Sequence, residues 1–119
     1  MTEREKAMKP EDLTRLFVER ANAKDAEGLA LLYEKDAVMA YPPGGQTVGR
    51  AAIQKLWAEL LPRVPEFKPE QPLPTLISGD LALTSTPPKD DAGARAQVVR
   101  RQADGSWLRL IDQPEFKRG

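Results

Sequence analysis

The sequence predicts one α+β domain, with helices first and a mostly antiparallel sheet after them. Three observations carry this. Apolar residues recur at helical spacing through the N-terminal half. Short alternating runs separated by turn residues fill the C-terminal half. The 119 residues, 40% hydrophobic and 30% charged, suit a single modest core.

Each element has a local cause. Pro10 reads as an early helical position, followed by Glu11 and Asp12 in the first turn, where acids favour the helix dipole. Leu13, Leu16, Phe17 and Ala21 then share one face, and the helix is expected to end near Asn22-Ala23-Lys24. Asp25 is a good N-cap for a second, shorter helix with Leu29, Leu32 and Tyr33 as its stripe. Ala37 to Tyr41 reads as a strand, Pro42-Pro43-Gly44-Gly45 as a turn, and Gln46 to Val48 as the returning strand. After Gly49, the residues Ile53, Leu56, Trp57, Leu60 and Leu61 make the cleanest helical stripe in the chain, which Pro62 stops. Five prolines between Pro62 and Pro74 exclude a helix or a central strand, so this stretch is expected to be an extended edge segment. Strands are predicted over Thr75 to Ser78, Leu81 to Thr86, Ala94 to Arg101 and Trp107 to Gln113. Pro87 to Gly93 reads as a polar loop whose Lys89-Asp90-Asp91 cluster is given no function, and Pro114 as the end of the last strand. Residues 1–9 are expected to be a flexible tail, and 10–116 the domain.

Composition removes whole classes of chemistry. Lys+Arg and Asp+Glu both number 18, so the basic excess of a nucleic-acid binder is missing. No run is long and apolar enough for a membrane span. A charged N-terminus without an apolar signal stretch makes the cytoplasm the expected location. There is no Cys and no His, which rules out thiol nucleophiles, zinc–thiolate sites and every Ser-His or Cys-His pair. No metal or cofactor is expected. Chemistry must come from carboxylates, Tyr, Lys, Arg, amides or hydroxyls.

Two stretches resemble a known family. One runs Leu31-Leu32-Tyr33-Glu34-Lys35-Asp36-Ala37-Val38, then Pro43-Gly44-Gly45, then Val48-Gly49-Arg50-Ala51-Ala52-Ile53. The other is Gly79-Asp80-Leu81-Ala82-Leu83 with Arg100-Arg101-Gln102-Ala103-Asp104-Gly105-Ser106-Trp107. Together they resemble the nuclear-transport-factor-2-like superfamily, and within it the SnoaL-like polyketide-cyclase and ketosteroid-isomerase-like proteins. The resemblance implies a cystatin-like cone: three helices packed in the concave face of a strongly bent, mostly antiparallel sheet. It also implies an internal pocket and dimerisation through the sheet's outer face. It does not carry the isomerase activity over. The three catalytic positions of the ketosteroid isomerases fall on Tyr41, Phe17 and Gln97, and none of these restores the lost carboxyl groups or the oxyanion-binding phenol.

The polar candidates are few. Strand alternation puts Leu108, Leu110 and Asp112 on one face. Two leucines mark that face as buried, so Asp112 points into the core or pocket, as an acid/base or as a structural partner of an Arg such as Arg101. Tyr41 can donate to a ligand or serve as a core aromatic. Phe17, Met39 and Trp57 can line a pocket or pack it solid. Gln97, Val99 and Arg101 share a face, which makes Gln97 and Arg101 ligand-binding candidates. Trp107, Arg109 and Ile111 take the opposite face, where Trp107 and Ile111 suggest a surface covered by a second copy.

Two functions follow. The first is a small-molecule pocket that binds, or also transforms, a small apolar or cyclic metabolite, with Asp112 as acid/base and Tyr41 as an orienting donor. The second is a non-catalytic dimeric module for ligand binding or protein interaction.

Overall fold

The computed structural model describes residues 4–88 and 93–116. Its elements run α1 (Asp12–Asn22), α2 (Ala26–Ala30), β1 (Tyr33–Met39), β2 (Thr47–Val48), α3 (Arg50–Leu60), a 3₁₀ turn (Leu61–Arg63), β3 (Leu76–Ser78), β4 (Leu81–Thr86), β5 (Ala94–Arg101) and β6 (Trp107–Phe116). The six strands form one sheet in the order β2-β1-β6-β5-β4-β3. All neighbours are antiparallel except β1 and β6. The architecture is the predicted α+β cone, with α1 and α3 against the inner face. No helix among the described residues is long and apolar enough to cross a membrane.

Most elements form for the reasons read from the sequence. Asp25 caps α2 by accepting from the Gly28 amide at 3.0 Å. Ile53 and Trp57 bury the inner face of α3, while Leu56 and Leu60 pack against it more loosely. Fully burying a side chain such as Ile53 stabilises by about 1.5–3 kcal/mol. Gly49 starts α3 with φ at +93°, a left-handed conformation that costs a side-chain-bearing residue energy.

Several expectations need correction. The second helix ends at Ala30, and Tyr33 opens β1 instead of lying on a helical stripe. The Pro-rich segment is extended and reaches the sheet edge at Leu73, whose amide donates to the Ser85 carbonyl of β4 at 2.8 Å, but it is more than an edge segment. It is a strap over the helices, with Asn22 and Phe67 exchanging two hydrogen bonds (2.9 and 2.7 Å) and Lys24 Nζ donating to the Leu61 carbonyl at 2.9 Å. Pro114 does not end β6. The register slips between Ala96↔Gln113 and Ala94↔Phe116, and such an irregularity tolerates a missing amide donor.

The stretch expected to be a tail is docked on the body over residues 4–9. Ala7 is buried, and its carbonyl accepts from the Trp107 amide at 2.8 Å. Arg4 pairs with Asp25, Arg15 with Glu5 and Lys6 with Asp104. Residues 1–3 and the Lys89-Asp90-Asp91 cluster lie outside the described residues.

The largest correction concerns β6. Val98 pairs with Ile111, yet the next residue, Val99, pairs with Arg109. Leu110 is therefore an extra residue, a β-bulge, and the inward parity changes there. Trp107 and Arg109 point inward before it and Asp112 points inward after it; all three are buried. The predicted outward Trp107 is overturned, because it sits beneath the docked N-terminal segment. Ile111 faces outward as expected and is 49% exposed.

Candidate functional site

A cavity of about 350 Å³ lies between α1, α3, the strap and the inner sheet face. Its apolar wall includes Phe17 and Val18 from α1, Trp57 and Leu60 from α3, and Val64 and Phe67 from the strap. Phe17, Trp57 and Phe67 meet edge to face, with centroids 5.3–6.5 Å apart. Offset contacts of this kind hold rings in fixed orientation. The sheet contributes Met39, Gln97, Arg109 and Asp112, and the loop after β1 contributes Tyr41. The volume falls at the lower end of the range for small-molecule pockets.

Asp112 is 3% exposed. Its Oδ2 accepts from the Tyr33 hydroxyl at 2.6 Å, and Arg109 Nη1 stands 3.8 Å away. Burial first, and then the charge of Asp112, push the Tyr33 phenol far above its ordinary pKa of 10.0, so it stays protonated and keeps donating. Arg109, 4% exposed, lays its guanidinium over the rings of Phe17 and Tyr33, 5.0 and 5.8 Å from the centroids. Such stacking is favourable for a desolvated cation. The backbone fixes the group further. The Arg109 amide donates to the Leu32 carbonyl at 2.7 Å, and the Ala40 amide to the Asp112 carbonyl at 2.9 Å. Arg50 grips the Tyr33 carbonyl with two hydrogen bonds, at 2.9 and 2.7 Å.

Three buried side-chain atoms among the described residues have no hydrogen-bond partner: Asp112 Oδ1, Arg109 Nε and Trp57 Nε1. All three belong to residues lining this one cavity. Buried polar groups are nearly always paired, so each of these three carries an unmet hydrogen-bonding cost.

The remaining predicted residues divide. Gln97 pairs across the sheet with Asp112, and its carbonyl oxygen accepts from Thr84 at 2.7 Å. That leaves its NH₂ as the donating end. Tyr41 is half-buried in the wall, next to Pro42. Arg101 is not part of the site. It pairs with Trp107 at the far end of β5, four residues from Gln97, or about 13 Å along the strand. Its guanidinium is exposed and bonds Asp80, with Nη2 at 2.6 Å. Asp112 thus faces Gln97 and Arg109 rather than Arg101.

Sequence reasoning missed Arg109, Tyr33, Phe67 and Glu70. Glu70, on the strap, forms an ion pair with Arg95 of β5, and both line the cavity. Among the described residues, no cluster of acidic side chains could hold a metal ion.

The comparisons agree with this geometry at the level of fold. The model of the SnoaL-like domain matches residues 14–110, and the chain belongs to that family. Compared with curated protein sequences, it has no significant match. Among solved structures it is similar to a Thiobacillus denitrificans protein whose name ties it to the association domain of calcium/calmodulin-dependent protein kinase type II. The two share 18% identity, covering 92% of this chain and 96% of that one, with a TM-score of 0.73. It is similar also to a ketosteroid isomerase-like protein from Erwinia carotovora atroseptica, at 19% identity, 87% and 89% coverage and a TM-score of 0.67. A nuclear-transport-factor-2-like protein with a cystatin-like fold, from Novosphingobium aromaticivorans, gives 20% identity, 86% and 75% coverage and a TM-score of 0.63. At these identities the likeness concerns the fold alone.

Proposed function

We propose that this SnoaL-like domain binds a small apolar or cyclic metabolite in its interior cavity and transforms it by proton transfer through Asp112. The observation that carries the reading is a buried carboxylate with one oxygen held by Tyr33 and the other unpaired, on the wall of an apolar cavity. A carboxylate so placed is oriented by its donor and shielded from water, as a general base requires. Arg109 balances its charge, and Tyr41 is the orienting donor in the wall. Native mass spectrometry of freshly purified protein tests the binding. A co-purified small molecule is expected, and an Asp112→Asn variant should retain it without converting it. A cavity that stays empty of every added metabolite, in wild type and variant alike, would sink the proposal.

A dimeric module is the second reading, favoured by the outer sheet face. Val48, Val38, Ile111, Val98, Leu83 and Leu76 stand in one register row across all six strands. Val48, Ile111, Leu83 and Leu76 are exposed. An unbroken aliphatic row is self-complementary about a two-fold axis, the commonest symmetry of homodimers. We propose that a second copy covers this row, with Ile111 near its centre and Trp107 excluded from it. The two readings are compatible, since the cavity lies on the other face.

A further inference from the structure

The strap walls the cavity and brings a charge to it. Val64, Phe67 and Glu70 are half-buried and line the cavity, whereas Pro65, Glu66, Lys68 and Pro69 between them are exposed. A period of three matches an extended chain of polyproline type, which has three residues per turn. The five prolines from Pro62 to Pro74 favour that form. One face of the strap therefore closes the space, and the last lining residue on that face is an acid. Glu70 pairs with Arg95 of β5. Arg95 shares the inner face with Gln97, two residues on, and Thr86 stands opposite it in the β4–β5 register. All of these line the cavity.

Two further observations set this pair apart. The first is access. Arg109 and Asp112 keep 5% and 3% of their side chains accessible, whereas Arg95 keeps 30% and Glu70 19%. The second is charge. Among the described residues, Glu70, Arg95, Arg109 and Asp112 are the charged side chains lining the cavity. Three are fixed on β5 and β6 and sum to one positive charge. The neutralising carboxylate of Glu70 comes from the strap, outside any helix or strand. A partly exposed ion pair is weak beside the burial of an apolar body, so a second carboxylate can take the place of the first.

We propose that Arg95 anchors a carboxylate of the ligand and that Glu70 holds its place while the cavity is empty, given the reading above that the cavity is a ligand site. The ligand is then an amphipathic monoanion. Its ring or chain lies against Phe17, Trp57 and Phe67, and its acid group meets the guanidinium, whose planar fork matches a carboxylate. Thr86 is the neighbouring hydroxyl donor. Glu70 turns out to solvent with the strap, so the wall and its ligand together stay neutral.

The test uses the full chain and three matched sets of probes: phenylacetate, 3-phenylpropionate and 4-phenylbutyrate, each with its amide and with the amine of the same length. Binding is followed by ¹H–¹⁵N NMR of the two indole resonances, with Trp57→Phe assigning the signal from the cavity wall. The best acid is expected to bind about tenfold tighter than its amide, with the amine weakest. Arg95→Gln should abolish that ratio and leave the amide unchanged. Glu70→Gln should raise the ratio further, because Arg95 then has no internal competitor. If Arg95→Gln fails to fold, Glu70→Gln and the wild-type ratio decide. Acid and amide binding equally well, with the Trp57 resonance shifted by both, would overturn the anchor and leave the cavity reading intact. An acid preference that survives Arg95→Gln, or tightest binding by an amine, would overturn it as well. No shift of the Trp57 resonance with any probe, in wild type or in Glu70→Gln, would remove both readings.

Discussion

Replacing Arg109 by Met removes one half of a buried ion pair and leaves a side chain of similar reach. At 3.8 Å and an effective dielectric constant of roughly 20, the attraction amounts to about 4 kcal/mol. Much of that only offsets the cost of taking both charges out of water. Without Arg109, Asp112 keeps a single donor, Tyr33, and stays buried. Breaking such a pair costs about 3–5 kcal/mol, against a total stability of about 5–15 kcal/mol for a domain. At this length each kcal/mol moves Tm by roughly 3–5 °C, so Arg109→Met should lower Tm by about 10–20 °C. Asp112→Leu alone should cost a similar amount, since it strands the guanidinium. The double variant should recover most of the loss and fall about 1–3 kcal/mol short of wild type, because two apolar side chains need no partners but the buried Tyr33 hydroxyl is left without its acceptor. Urea unfolding followed by fluorescence of the two buried tryptophans, read as a double-mutant cycle, measures the coupling. A double variant as unstable as the sum of the singles would refute the argument that these residues act as one neutral unit. The repacked protein should also lose the proposed proton transfer while remaining folded, which separates the site from the scaffold.

Other consequences are as direct. Tyr33→Phe takes the donor from Asp112 Oδ2 and should cost about 1–3 kcal/mol in the same unfolding assay; a change within about 0.3 kcal/mol would show that water replaces the phenol. Hydrogen bonds from Arg4, Arg15 and Lys6 hold Asp25, Glu5 and Asp104 below their ordinary pKa values, 3.8 for Asp and 4.5 for Glu. Carboxylates of lowered pKa stabilise fully above the unfolded values and lose that contribution as pH falls through the folded ones. Residues 4–9 should therefore stay docked above about pH 5 and loosen progressively as pH falls below the ordinary carboxylate range, seen as a falling protection factor of the Trp107 amide; a protection factor that does not change on acidification would refute the coupling. Ile111→Lys puts a charge at the centre of the outer row. Analytical ultracentrifugation should show wild type as a dimer and the variant as a monomer, with unfolding changed by no more than about 0.5 kcal/mol; a dimeric variant would place the contact elsewhere.

The helices and the β4–β5 hairpin were legible because their causes are local. The α3 stripe, the Asp25 cap, and the alternation along Leu81–Thr86 and Ala94–Arg101 each lie within a few residues of the structure they produce. Tyr33 was misplaced for the same reason. Asp25, Leu29 and Leu32 imitate a longer helix, and only pairing with Arg109 across the sheet makes Tyr33 a strand residue. Of the site, Phe17, Trp57, Met39 and Gln97 were legible; Asp112 was placed inward on a premise the bulge overturns, since Leu108 and Leu110 do not share its face. Arg109 was not legible, because strict alternation placed it outside together with Trp107. Leu110 is an ordinary strand residue, and nothing near it in sequence announces a bulge. The pairing of β6 with β5 on one side and β1 on the other decides it. Arg101 follows from the same cause: which residue faces Asp112 is a matter of register, and register is set by partners far along the chain.

That bulge has a consequence for how such a site is inherited. In a regular strand, residues three apart point to opposite sides, so Arg109 and Asp112 would be separated by the thickness of the sheet. A single inserted position lets both enter the same space. The bulge is one of two ways to reach that arrangement. Deleting Leu110 would make Arg109 and Asp112 two apart, and a regular strand also turns such residues to one side. In relatives, an Arg and an Asp two apart in a regular strand, or three apart around a bulge, reach the same space.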